Sequence, residues 1–147
     1  TTAVKGLQPR LTRRHMYLLD TNIVSYWMRG DHAVIAQIKE RSPSELSLSA
    51  ITLAEIWYGI EKSPVKKKER RLKIERISSL VSIYPFDDIA AKSYAVIRAT
   101  LERRGVMISE RDTQIAAIAV ANRLTVVTHN VTEFFRIDQL SVEDWAE

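Results

Sequence analysis

The chain of 147 residues contains no cysteine, which excludes disulfides, thiolate zinc sites and cysteine nucleophiles together. Its three histidines, His15, His32 and His129, are a poor basis for a two-histidine acid–base ribonuclease, and His129 reads most simply as a strand-end surface residue. Glycine and proline number only four each, which suits an ordinary globular domain and not a low-complexity or collagenous chain. No apolar run approaches the ~18 residues of a membrane span, and no signal-peptide pattern precedes the first strand. A reducing interior suits such a chain, although a lack of cysteine is compatible with any compartment. The length allows one domain with one substantial core.

Acidic residues are scarce in two places, and this makes the net charge of +4 uneven. Residues 1–15 contain Lys5, Arg10, Arg13 and Arg14 and no acid, so they account for all of it. They also lack periodicity, and Met16 directly precedes the first strand. Residues 1–15 are therefore read as a flexible basic N-terminal arm or a non-native extension, and 16–147 as the domain. Within it, residues 62–76 hold eight basic residues against Glu69 and Glu75. Such a run is either a solvated helix face or a surface that follows a phosphate backbone. On the second reading Lys66, Lys67, Lys68, Arg70 and Arg71 are the nucleic-acid-binding candidates.

Strand and helix patterns alternate along the domain. Tyr17–Asp20 reads as a buried strand and Thr21–Arg29 as a helix with Ile23, Val24, Trp27 and Met28 on one face. A second helix spans His32–Arg41. Leu46–Ser49 is a strand, followed by a helix through Lys62 that ends at Ser63-Pro64. The basic helix is expected over about 65–82, burying Leu72, Ile74, Ile77, Leu80 and Val81. Ile83–Phe86 is a short strand, a helix runs from Asp87–Asp88 to Arg104 and stops at Gly105, and another covers Ile115–Asn122. Leu124–Thr128 is a strand, Glu133–Arg136 a short helix, and Leu140–Val142 a final edge strand with Trp145 covering the core. This alternation predicts a three-layer α/β/α sandwich with a mainly parallel central sheet.

Asp20, Glu55 and Asp112 each stand where an apolar strand gives way to a helix. Each has a purely structural explanation. Asp20 suits the N-cap of the helix starting at Thr21. Thr52-x-x-Glu55 matches a capping box, and Ser109-x-x-Asp112 has a similar pattern. Capping does not explain why all three belong to one edge of a parallel sheet, where ligands bind outside the carboxyl ends of the strands. Clustered carboxylates repel unless a cation sits among them, and their hard oxygens suit Mg²⁺ or Mn²⁺. Thr128 and Asn130, at the end of another strand, add a hydroxyl and an amide oxygen at the same edge.

The stretches Leu18-Leu-Asp-Thr-Asn-Ile23, Leu48-Ser-Ala-Ile-Thr-Leu-Ala-Glu-Ile-Trp-Tyr-Gly59, Asp112-Thr-Gln-Ile-Ala-Ala-Ile-Ala119, Val127-Thr-His-Asn130 and Glu133-Phe-Phe-Arg-Ile resemble those of PIN-domain ribonucleases. More narrowly, they resemble the VapC-type toxins of bacterial toxin–antitoxin modules and the related FitB-type proteins, in order and with ordinary spacing over residues 16–147. The resemblance implies a metal-dependent endoribonuclease that inhibits translation by cutting tRNA or ribosomal RNA loops. It makes Asp20, Glu55 and Asp112 the metal-binding carboxylates, with Mg²⁺ as cofactor and Mn²⁺ able to replace it. Asn130 joins them as a catalytic residue at a fourth corner where many relatives carry a further Asp. Thr21, Asn22 and Thr128 would support these groups, and Arg111 would touch the RNA.

The same resemblance implies a bacterial cytoplasmic protein without a membrane role and products ending in 5′-phosphate and 3′-hydroxyl. It also implies a homodimer and a cognate antitoxin, with operator DNA reached only through that antitoxin. The apolar residues Val24, Trp27, Met28, Ile35, Ile38 and Trp57 serve either the core or a groove for the antitoxin's tail. Two rivals stand beside this reading. One is a catalytically inactive PIN-like module that binds RNA or protein. The other is a phosphatase with an aspartyl nucleophile, which normally has a second Asp two residues after the first, where this chain has Asn22.

Overall fold

A computed structural model describes residues 16–146; the basic arm expected over residues 1–15 lies outside them. Five short strands form one parallel sheet in the order β3-β2-β1-β4-β5. They are β1 (Tyr17–Leu19), β2 (Leu46–Ser49), β3 (Ser82–Tyr84), β4 (Thr125–Val127) and β5 (Val142–Glu143). Seven α-helices connect and cover them: α1 (Thr21–Arg29), α2 (His32–Lys39), α3 (Ala50–Lys62), α4 (Lys67–Leu80), α5 (Asp88–Arg103), α6 (Glu110–Asn122) and α7 (Val131–Phe134). Among the described residues no helix is long and apolar enough to cross a membrane.

Alternate strand residues point to opposite faces, and this sorts the core into two layers. Tyr17, Leu19, Leu46, Leu48 and Val127 pack with Ile23, Val24, Val34, Ile56, Ile60, Ile74 and Ile77 of α1–α4. Leu18 and Val126 pack on the other face with Ile97 and Leu101 of α5, the Ile115–Ala119 run of α6 and Phe134 of α7. The expected three-layer sandwich is thus formed. Trp145 closes the first layer edge-on to Tyr17, ring centres 5.1 Å apart, with the Arg41 guanidinium over both rings. Of the candidate groove residues, Val24 is fully buried, while Trp27, Met28, Ile38 and Trp57 are half-buried against the same core.

Local chemistry explains several boundaries. Gly30 ends α1 in the left-handed conformation (φ 78°), donating its N–H to Trp27 O, a geometry that costs glycine nothing. Asp20 belongs to the cap of α1 and not to the strand. Helix α3 begins five residues before Glu55, because Ser49, the last residue of β2, caps it through its hydroxyl and the Thr52 N–H. A capping box does form at Ser42–Glu45, in the segment between α2 and β2.

The basic helix buries less than its pattern suggests. Ile74 and Ile77 are buried and Val81 follows, but Leu72 and Leu80 are 55% and 50% exposed. Positions two apart on a helix are separated by about 200° of rotation, so the face that buries Ile74 turns Leu72 outward. The other expected elements differ from the observed ones only at their ends. Helix α6 starts at Glu110, α7 spans Val131–Phe134, and the edge strand is Val142–Glu143.

Candidate active site

The sheet order places β1 between β2 and β4, so the chain leaves β1 on one side and returns beside it more than a hundred residues later. A crevice opens at such a reversal, at the carboxyl ends of the two central strands. Asp20 follows β1 there and Thr128 follows β4. The Asp20 N–H extends the ladder to Val127 O at 2.8 Å, which fixes the backbone that carries both side chains.

Asp20 is 5% exposed. One carboxylate oxygen accepts the Thr21 N–H and the other the Thr128 hydroxyl, each at 2.8 Å. Burial nevertheless pushes its pKa from 3.8 up to about 6, opposed by those two hydrogen bonds and reinforced by the charges of Asp112 and Glu55. Burial also raises Asp112; the Ser109 hydrogen bond opposes this, and Glu133 and Glu55 add to the rise. Desolvation with like-charge repulsion is what a carboxylate group experiences when no cation sits among its members.

The two capping explanations now separate. Ser109 does cap α6 through the Asp112 N–H at 3.1 Å, but the Asp112 side chain faces the crevice, where Asn130 Nδ2 approaches it at 3.4 Å. Glu55 makes no capping box with Thr52. One of its oxygens accepts the Thr21 hydroxyl at 2.5 Å, and the other is ion-paired with Arg111. Thr21 also reaches the Thr52 hydroxyl at 3.1 Å.

A cavity of about 450 Å³ is lined by Asp20, Thr21, Asn22, Ser25, Tyr26, Arg29, Glu55, Asp112 and Asn130. All three candidate carboxylates and Asn130 therefore share one cavity. Thr128 stands behind it, accepting the Asn130 N–H while donating to Asp20. Asn22 turns its side-chain oxygen to the His129 N–H at 3.3 Å, and the His129 ring meets Asp144 at 3.0 Å.

Ser25, Tyr26 and Arg29 were not among the sequence candidates, although a polar stripe at four-residue spacing from Thr21 and Asn22 marks that face of α1. Glu133, whose charge acts on Asp112, is held by Arg136 at 3.1 Å. A neighbouring cavity of about 660 Å³ shares Thr21, Ser25, Arg29 and Glu55 and extends past Met28 to Lys66, Arg70 and Lys73.

The basic candidates are not equivalent. Arg70 donates to the carbonyls of Gly59, Ser63 and Val65, tying the end of α3 to the start of α4. Arg71 and Lys67 pair with Glu61. Lys66 and Lys68 are exposed, and Lys66 holds a left-handed conformation (φ 50°) at the head of α4.

The acidic side chains of the cavity offer hard carboxylate oxygens, which suit Mg²⁺ or Mn²⁺, and the raised Asp20 and Asp112 would each gain from a nearby cation. Among the described residues, no three Asp, Glu or His side chains are gathered closely enough to hold one ion together. Magnesium commonly takes only one or two carboxylates and keeps several waters. Asp20 and Asp112 are enough for that requirement, while Glu55 is engaged by Arg111.

Residues 17–140 match the PIN domain family. The chain is 34% identical over 132 residues to ribonuclease VapC2 of Rickettsia felis, covering 88% of this chain and 98% of that protein. It is 32% identical over 130 residues to the tRNA(fMet)-specific endonuclease VapC of Shigella flexneri, again covering 88% and 98%. Its fold superposes on the DNA-bound VapBC structure from Salmonella typhimurium with a TM-score of 0.83 and 31% identity, covering 90% and 99%. The sheet order, the carboxylate-lined crevice and these likenesses agree: the chain belongs to the PIN-domain family and, within it, to the VapC ribonucleases.

Proposed function

We propose that the crevice between β1 and β4 is a divalent-metal-dependent phosphodiesterase site, that its substrate is transfer RNA, and that the protein is the toxin of a toxin–antitoxin pair. The observation that supports this most directly is the meeting of Asp20, Glu55, Asp112 and Asn130 on one cavity, with Asp20 buried and its pKa raised. Asp20 and Asp112 would hold Mg²⁺ or Mn²⁺, which would supply the Lewis acidity and water activation that phosphodiester hydrolysis needs.

The chain's own residues have separate tasks. Thr128 and the Thr21 N–H keep the Asp20 carboxylate in one orientation. Thr21 holds Glu55, and Asn130 spans from Thr128 to Asp112. Arg29 at the cavity rim and Lys66 on the adjoining cavity provide positive charge along an approach for the RNA backbone. Transfer RNA is favoured because the Shigella relative is named for that substrate, and because exposed loops are where proteins read RNA sequence. An antitoxin partner is favoured by the VapBC relative solved with DNA.

Cleavage assays on total and initiator tRNA, with Mg²⁺, with Mn²⁺ and with excess chelator, test the reading. Fragments ending in 5′-phosphate and 3′-hydroxyl, lost in chelator and in Asp20→Asn, are expected. Undiminished cleavage in chelator, or by Asp20→Asn, overturns the metal mechanism. Intact tRNA beside cleaved ribosomal RNA overturns the substrate assignment alone.

A further inference from the structure

Glu55 has no free carboxylate oxygen. One takes the Thr21 hydroxyl at 2.5 Å and the other takes Arg111 Nη1. Arg111 comes from the first turn of α6, next to Asp112, and reaches across the crevice mouth to α3. Its side chain is 67% exposed against 21% for Glu55, so the guanidinium approaches from solvent and is not packed into the core. Its positive charge opposes the burial-driven rise of the Asp112 pKa, and Glu55 raises that of Arg111. Arg111 therefore sits between two of the carboxylates that would otherwise repel each other.

We infer that Arg111 is the resident counter-ion of Glu55, a positioning residue that neutralises this carboxylate in the metal-free protein and that a divalent cation must displace before Glu55 can serve as a ligand. The inference rests on the metal reading of the site. An ion pair with one partner this exposed is easily broken, and a doubly charged ion at the same carboxylate gains about twice the Coulomb energy of a guanidinium. A guanidinium stays protonated at any working pH, so the competition is a matter of metal concentration and not of proton uptake. Arg111 then sets the threshold at which the site fills, by withholding one of its ligands.

The test is Mn²⁺ binding without RNA, followed by the electron paramagnetic resonance signal of free Mn²⁺. Wild type, Arg111→Gln, Glu55→Gln and the double variant are compared, each first shown to be folded by circular dichroism. Arg111→Gln is expected to bind Mn²⁺ about three- to tenfold more tightly than wild type. In the Glu55→Gln background the same change is expected to shift affinity by less than about twofold, because the competition has lost its object. Unchanged or weaker binding by Arg111→Gln overturns the inference and leaves the metal reading standing. An equal gain in both backgrounds reduces Arg111 to a nearby charge and also overturns it. Failure of the wild type to bind Mn²⁺ removes the metal reading, and this inference with it.

Discussion

Thr128 donates its hydroxyl to Asp20 at 2.8 Å, joining the ends of two central strands across 108 residues of chain. Both side chains are buried, Thr128 completely. The same hydroxyl accepts the Asn130 N–H at 2.9 Å. One threonine thus orients the most buried carboxylate of the crevice and begins the turn that delivers Asn130.

Thr128→Val keeps the shape and removes both bonds. The Asp20 oxygen would lack a partner where water is scarce, at a cost of about 1–3 kcal/mol, and the exposed Asn130 would lose the bond that sets its turn. Cleavage is expected to fall roughly ten- to hundredfold through misplacement of Asp20, while Thr128→Ser stays near wild type. Urea unfolding and single-turnover cleavage read the two effects. A valine variant matching wild type in both would remove Thr128 from any role at the site.

Asp20→Asn separates function from stability. The folded pKa of Asp20 is raised to about 6, so between its unfolded value and that point the native state binds more protons than the unfolded chain. Its contribution therefore becomes increasingly unfavourable as pH rises from about 4 to about 6 and is constant above. In chelator at pH 7, Asp20→Asn should be as stable as wild type or more so, by at most about 3 kcal/mol, less whatever its lost charge-assisted bonds contributed. At pH 4 the difference should nearly vanish, and at pH 7 cleavage should be abolished. Denaturant unfolding at the two pH values gives the comparison; a wild type that loses no stability relative to the asparagine variant between pH 4 and pH 7 contradicts the raised pKa.

Much of this arrangement is legible in the chain, and the failures have physical causes. Apolar runs such as Tyr17–Leu19 and the alanine-rich stretch after Asp112 identify the sheet and its covering helices, because burial on both faces leaves no polar positions. Glu55 was ambiguous because Thr52-x-x-Glu55 fits a capping box. The ambiguity disappears once Ser49, still the last residue of β2, caps α3 a turn earlier. Arg70 reads as one more surface cation, since its three carbonyl partners at the end of α3 come together only after the helices pack. The Arg111–Glu55 pair spans 56 residues, and no local pattern encodes it.

The basic helix divides into residues that hold the fold and residues that face solvent. Arg70→Met, which leaves the end of α3 without its donors, is expected to lower stability by about 1–3 kcal/mol. Lys66→Glu with Lys68→Glu should leave the melting temperature within a few degrees of wild type. It should weaken RNA binding roughly tenfold or more at low salt, and much less at high salt. Binding by Asp20→Asn, which does not cut its ligand, is the measurement. Equal affinity for the lysine variant at low salt would make that end of the helix a solvated surface only.

Asn130→Asp tests how the crevice tolerates a fourth carboxylate. Asn130 turns its amide nitrogen toward Asp112, so an aspartate there replaces a donor with a second negative charge beside a group whose pKa is already raised by burial and neighbouring acids. In chelator the variant should lose about 1–2 kcal/mol at pH 7 and recover part of it as pH falls, because protonation of either carboxylate relieves the repulsion. With millimolar Mn²⁺ the order should reverse, because a ligand bound only by the native state stabilises in proportion to its affinity, and an added hard oxygen raises that affinity. Thermal unfolding of both proteins, with chelator and with Mn²⁺, decides it. A variant destabilised equally in both conditions would show that the position 130 side chain faces no cation.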